Sequence, residues 1–249
     1  MGDVDLASAA NPLVKELRQL HRAVGRRRQG RFLVEGRRAI GAWLQAGWRP
    51  VMLFLADGLP QPADWPLARR MSQRVAEKLT QAKTASGYLA VFAIPPPPVL
   101  DAAAGGLVLQ GIADPGNLGT LLRSAAAFGC RQVVLAGGAD PWSAKVVQAS
   151  AGALARLAIR CEGSPIELAA GAPLIALVVA DGAPPSACAG LADSWLVVGS
   201  EADGIAVDWL EACRHRLTLP MPGGTESLNA AVAGALALFL VRGLHRSPG

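Results

Sequence analysis

Cysteine is scarce and scattered. Cys130, Cys161, Cys188 and Cys213 form no CxxC pair, so neither a zinc site nor a disulfide frame is expected, and a reducing cytoplasm is the simpler setting. Histidine is rarer still: His21, His215 and His245 lie outside the three polar islands discussed below. That disfavours a Ser/His or Cys/His hydrolase and leaves a surface role for each. No GxGxxG follows a strand-like run, and there is no phosphate-binding GxxxxGK, no HExxH and no GxSxG. The common signatures of dinucleotide, nucleotide, zinc-protease and esterase chemistry are therefore missing. The longest apolar stretch, Ala230 to Val241, is too short to cross a bilayer. Met1 to Asn11 has no basic segment followed by an apolar run. Neither a membrane span nor a secretion leader is expected.

What is present is a large supply of small and apolar residues. Of 249 residues 51% are hydrophobic and only 17% charged, which supports packed α/β layers and excludes a disordered chain. Charge is placed unevenly. Up to Ile94 there are 15 Lys and Arg against 7 Asp and Glu, a balance of +8; from Pro95 onward there are 9 against 12, a balance of −3. Nine of the basic residues fall between Lys15 and Arg38, including Arg26, Arg27, Arg28 and Arg31. A basic arm on a near-neutral body points to a polyanion, and these four arginines are its candidate contacts.

The proline run Pro95 to Pro98 and the Ala/Gly-rich Asp101 to Gly106 read as a semi-rigid spacer. This divides the chain into residues 1–94, a linker over 95–106, and residues 107–249. In the first part the pattern predicts a helix over Pro12 to Val24, a basic turn, a strand over Arg31 to Glu35 and a helix over Arg37 to Ala46. A strand over Val51 to Leu55, a helix over Gln73 to Leu79 and a strand over Tyr88 to Ile94 follow. In the second part, strand-like runs at Leu107 to Ile112, Gln132 to Ala136, Leu174 to Val179, Trp195 to Gly199 and Arg216 to Leu219 alternate with helical ones. A long last helix is expected from about Ser227 to Gly243. Such alternation predicts a mostly parallel sheet covered by helices on both faces.

Three polar islands interrupt this oily domain, each after a predicted strand, where parallel sheets collect their sites. The first is Asp114-Pro115-Gly116-Asn117-Leu118-Gly119, with Asn117 read as a helix N-cap and Arg123 on the helix that follows. The second is Gly199-Ser200-Glu201-Ala202-Asp203-Gly204, where glycines at both ends allow close backbone approach to a ligand. The third runs from Leu219 through Met221 to Ser227, Leu228 and Asn229, with apolar residues suited to an adenine slot. Each island alone is no more than a cap or a turn.

In that order, the islands resemble the SpoU (TrmH-like) family of SPOUT methyltransferases. The resemblance rests on Asn117-x-Gly119-x-x-x-Arg123, Gly199-Ser200-Glu201-x-x-Gly204 and Leu219-Pro220-Met221-x-Gly223-x-x-x-Ser227-Leu228-Asn229. The first part, with Asn11-Pro12-Leu13 and Phe32-Leu33-Val34-Glu35-Gly36, resembles that family's small, ribosomal-protein-like α/β module for RNA. Two departures stand out: Ala202 where the family often has glycine, and Ala230-Ala231 where it often has Val-Ser.

The resemblance implies a deep trefoil knot, a homodimer, and S-adenosylmethionine as cofactor. It implies transfer of a methyl group to a ribose 2′-hydroxyl of RNA, with ribosomal RNA preferred over transfer RNA because of the N-terminal module. It makes Gly199, Gly204, Leu219, Leu228, Met221 and Ala180 the cofactor contacts. It makes Asn117, Arg123, Glu201, Ser227 and Asn229 the reaction site, with Glu201 and Asn117 expected to hold Arg123. A transfer-RNA or base-methylating SPOUT enzyme is the nearest alternative, and an RNA-binding protein without catalysis a second.

Overall fold

The structure is a computed structural model that describes residues 6–243 apart from 83 and 189. His245 lies outside the described residues. The chain forms two compact units. The first is the chain as far as Pro96 together with Asp140–Ala155; the second is Pro97–Ala139 together with the chain from Arg156.

The first unit is built on a four-stranded sheet in the order β1-β4-β2-β3, from β1 (Arg31–Glu35), β2 (Met52–Ala56), β3 (Arg69–Met71) and β4 (Tyr88–Ala93). β4 runs antiparallel to both β1 and β2, and β3 runs parallel to β2. Its helices are α1 (Pro12–Gln19), α2 (Ala23–Gln29), α3 (Arg37–Gln45) and α4 (Gln73–Leu79). The single predicted helix over Pro12 to Val24 is thus two, and the basic turn is helical. Asn11 caps α1 by accepting from the Leu13 N–H, and Gly30 ends α2 in the left-handed conformation that glycine adopts without strain.

Residues 140–155 leave the second unit's sequence and complete the first unit's core. Trp142 packs against Phe32 with ring centroids 4.9 Å apart, and Phe32 also meets Trp43 at 5.0 Å. The Trp48 indole donates to the Ala155 carbonyl at 2.8 Å. Offset and tilted aromatic contacts of this kind add to the gain from burial.

The second unit holds a six-stranded, all-parallel sheet in the order β10-β8-β9-β5-β6-β7. The strands are β5 (Gly106–Gln110), β6 (Gln132–Ala136), β7 (Ala158–Arg160), β8 (Leu174–Leu177), β9 (Trp195–Val198) and β10 (His215–Leu217). Four of the helices belong here: α5 (Pro115–Ala127), α7 (Pro165–Ala169), α8 (Val207–Ala212) and α9 (Ala230–Leu238), which passes into a π-helical turn over Phe239–Gly243. α6 (Ala144–Ala149) lies in the segment of the first unit. Leu168 of α7 and Trp209 of α8 pack with Val108, Val134 and Val197 on one face. On the other, a Cβ on Gly234 of α9 would lie 2.4 Å from Leu121 of α5 and 3.5 Å from Val198. Strands buried on both faces read as continuous apolar runs, as observed.

From β5 the sheet grows through β6 and β7 in one direction and through β9, β8 and β10 in the other. The reversal lies between β5 and β9. In open parallel sheets, the crevice beyond the strand C-termini at such a reversal is where ligands bind.

Candidate active site at the sheet reversal

The loops leaving β5, β9 and β10 are the three polar islands. They differ from the sequence expectation in how the first is built. α5 begins at Pro115, and its N-cap is Asp114, not Asn117; the Asp114 carboxylate accepts from the Asn117 N–H at 2.7 Å. Proline suits this first helical position because its missing N–H would be unpaired there anyway. Asn117 therefore sits in the first turn of α5 with its side chain released from capping.

That side chain links the islands. The Asn117 Nδ2 donates to Glu201 Oε1 at 2.6 Å, and the Asn229 Nδ2 donates to Asn117 Oδ1 at 3.1 Å. Asn229 is itself the N-cap of α9, its Oδ1 accepting from the N–H groups of Ala231 and Val232. The last helix thus starts at Ala230 rather than at Ser227. Each asparagine amide is used at both ends, which fixes its orientation.

The second island is a closed loop. The Gly204 N–H donates to the Ser200 carbonyl at 3.1 Å, and the Asp203 N–H to Ser200 Oγ at 3.0 Å. Gly204 has φ +67°, and a Cβ on Gly199 would fall 2.2 Å from the Gly204 backbone. Glycine is required at 199 by close approach and favoured at 204 by conformation.

Beside this loop lies a cleft of about 470 Å³, within the range of small-molecule sites. The C-terminal ends of three adjacent strands line it: Leu177 to Val179 after β8, Val198 to Ile205 after β9, and Leu219, Met221, Ser227 and Leu228 after β10. Leu210, Ala230 and Ala233 complete the wall. Leu219 and Leu228 make no backbone–backbone hydrogen bond among the described residues.

Residues 106–239 match the SpoU rRNA Methylase family, and residues 11–90 match the MRM3-like substrate binding domain. The chain belongs to the SpoU rRNA methylase family. An uncharacterized tRNA/rRNA methyltransferase of Synechocystis sp. is 34% identical, with 95% of this chain and 93% of that one covered. The 23S rRNA (guanosine(2553)-2′-O)-methyltransferase RlmP of Bacillus subtilis is 28% identical over 96% of this chain and 99% of its own. Among solved structures, the SpoU methyltransferase AviRb of Streptomyces viridochromogenes in complex with AdoMet is 27% identical. It superposes with a TM-score of 0.78 over 94% of this chain and 98% of that chain.

In this SpoU methylase the cleft gathers most of the residues the sequence singled out. Gly199, Gly204, Leu219, Met221, Leu228, Glu201 and Ser227 line it; Asn117 is hydrogen-bonded to Glu201, and Asn229 to Asn117. Ala180 does not line it, although Leu177 to Val179 do. Arg123 is exposed on α5 and has no hydrogen bond or ion pair among the described residues. Glu201, expected to hold Arg123, holds Asn117 instead. Six residues of α-helix place Arg123 about 120° around the helix axis from Asn117. Ile205, Leu210 and Ala233 were missed; their signal was only that apolar residues follow the second and third islands.

The expected RNA contacts separate into two kinds. Arg27 and Arg28 are exposed on α2, with Arg28 bonded to Gln19. Arg31 is partly exposed, 3.9 Å from Glu16. Arg26 must be withdrawn from this set. It is only 4% exposed, and its guanidinium donates to Asp140 at 2.6 and 3.0 Å and to the Leu20 carbonyl at 2.8 Å. A charge committed inside the unit cannot also meet a phosphate. No helix among the described residues is long and apolar enough to cross a membrane, and no group of three His, Cys, Asp or Glu residues among them could hold a metal.

Proposed function

We propose that this protein is an S-adenosylmethionine-dependent methyltransferase acting on a ribose 2′-hydroxyl of ribosomal RNA. The observation that carries the reading is the hydrogen-bonded chain Asn229–Asn117–Glu201, which joins all three islands beside one apolar cleft. The relatives named 2′-O-methyltransferases, and the AdoMet-bound structure among them, support it.

The cleft fits the cofactor. Leu219, Met221, Leu228, Ile205 and Leu210 offer apolar walls for an adenine ring, and the backbone groups of Leu219 and Leu228 can meet its edge. Gly199 and Gly204 let the loop after β9 approach closely. When bound, S-adenosylmethionine supplies an electrophilic methyl group on a sulfonium. The chain's own residues then have to align and polarise the acceptor oxygen. Ser227 and Asn229 orient ribose, and Glu201 fixes Asn117. Arg123 clamps the target phosphate; a guanidinium keeps its proton and is unsuited as the base.

Arg27, Arg28 and Arg31 hold RNA backbone. Ribosomal rather than transfer RNA is the substrate, because the N-terminal unit matches the substrate-binding domain of rRNA-modifying relatives. A cytoplasmic location is in keeping with the bacterial relatives. The protein works as a homodimer: Val232 and Leu236 on α9 and Phe239 at the start of the π-helical turn form an exposed apolar stripe, at the spacing of a packing surface. Introducing a charge with Leu236→Lys is expected to shift the sedimentation coefficient to that of a monomer.

Two measurements test the reading. Calorimetry of the purified protein with S-adenosylmethionine should show one site per chain. Ribose-methylation mapping of total RNA from cells with and without the protein should show loss of a single ribosomal 2′-O-methyl group. A modified base in place of a modified ribose would overturn it.

A further inference from the structure

β5 reads Gly106-Leu107-Val108-Leu109-Gln110, and every residue of it is buried. Four fit an apolar sheet interior. The fifth does not: Gln110 is only 7% exposed, and a buried side-chain amide costs free energy unless it is hydrogen-bonded. Its Oε1 accepts from the backbone N–H of Ala206 at 2.9 Å.

The donor explains the acceptor. Ala206 is the N-cap of α8, and α8 has no side-chain cap. In a capping box, the side chain at the third helical position reaches back to the N-cap N–H. In α8 that position is Trp209, whose indole can only donate and whose ring is buried in the core. Gln110 does from another strand what Trp209 cannot do within the helix. The bond spans the sheet reversal between β5 and β9, and it fixes the point at which the Gly199 to Ile205 loop ends and α8 begins. Both sides of that point, Ile205 and Leu210, line the cleft.

We propose that Gln110 is a positioning residue for the cofactor cleft, setting the exit of the loop after β9 through the Ala206 N–H. The assignment rests on the function proposed above, in that the ligand is taken to be S-adenosylmethionine. The bond can be cut from either side. Gln110→Met keeps the length and removes the acceptor. Ala206→Pro removes the donor, and φ −61° at Ala206 already suits proline. Gln110→Glu keeps an acceptor oxygen.

Three readouts are taken on the full chain: S-adenosylmethionine affinity by calorimetry, amide hydrogen exchange over residues 199–206, and thermal melting. Gln110→Met and Ala206→Pro should each weaken cofactor affinity about tenfold, the loss of one hydrogen bond that orders the site. Each should speed exchange across the loop. The double variant should be no worse than the worse single one, since both remove one interaction. Gln110→Glu should keep loop exchange closer to the parent than Gln110→Met does, while melting earlier because it buries a carboxyl group. Wild-type affinity and wild-type exchange in a folded Gln110→Met would overturn the proposal, as would additive losses in the double variant. If the parent bound no S-adenosylmethionine but the loop still exchanged faster in both single variants, the positioning role would stand and the proposed function would fall. Should Gln110→Met fail to melt cooperatively, Ala206→Pro decides alone, because it alters an exposed position.

Discussion

Arg26 and Asp140 form a partly buried ion pair between residues far apart in sequence, with Nη2 2.6 Å and Nε 3.0 Å from the same carboxylate oxygen. Asp140 also accepts from the Trp142 N–H at 2.9 Å, so the pair anchors the segment that brings Trp142 to the aromatic core. Removing one partner leaves a desolvated charge. Arg26→Ala should lower stability by about 2–3 kcal/mol, allowing for the partial exposure of Asp140. Chemical denaturation would measure it. A fragment ending near Pro96 should fail to fold cooperatively, since Trp142 and Asp140 are missing from its core.

Arg27 and Arg28 lie one and two residues on and should behave oppositely. They are exposed, so Arg27→Ala and Arg28→Ala should change stability by no more than about 0.5 kcal/mol. Each should weaken RNA binding and reduce the slope of log affinity against log salt by about one. Binding titrations at several salt concentrations check this. An unchanged slope in the double variant would remove α2 from the RNA surface.

The contrast between Arg26 and its neighbours shows where sequence reading reached and where it stopped. β1, β6 and α4 were legible to the residue, because local apolar patterning and flanking turn residues decide them. β3 and β7, three residues each, escaped: Arg69–Met71 and Ala158–Arg160 are held by strand pairing, and their own composition is not strand-like. Within a run of arginines nothing marks which one faces inward, since that depends on Asp140 arriving from another part of the chain. The three islands were legible because motif order survives without coordinates. The Asn117 to Glu201 bond was not, because it depends on Asp114 taking over the cap. Ile205 and Leu210 resemble ordinary core residues in one dimension.

His21 gives the first unit a pH dependence. Its Nε2 lies 3.0 Å from the Leu79 carbonyl, and burial pushes its pKa below the ordinary histidine value of 6.5. The unfolded chain therefore takes up the proton first. Stability from this group is present above about pH 6.5 and declines as pH falls through 6.5 towards the folded value. Denaturation midpoints should drop between pH 7 and 5. His21→Gln keeps a donor for Leu79 and should flatten that part of the profile.

Asn117→Asp turns the donor facing Glu201 into a second carboxylate and sets two like charges in contact. Methyl transfer should fall at least about a hundredfold through loss of alignment. Cofactor affinity should change little, because Asn117 does not line the cleft. Adding Glu201→Gln to this variant restores a donor–acceptor pair of reversed sense and should recover part of the rate. Single-turnover methylation with saturating cofactor makes the comparison.

Arg123 stands apart from this network, exposed and without an ion pair among the described residues. A guanidinium kept free at a surface is suited to a ligand phosphate, which it can grip through two parallel hydrogen bonds. Arg123→Ala should reduce methyl transfer about a thousandfold or more, in the range of other deleted transition-state contacts, with calorimetric cofactor affinity unchanged. Arg123→Lys keeps the charge and loses the fork, so it should recover only part of the rate, chiefly by lowering the KM for RNA. A rate equal to the parent's in Arg123→Ala on the native RNA would take this residue out of the reaction site.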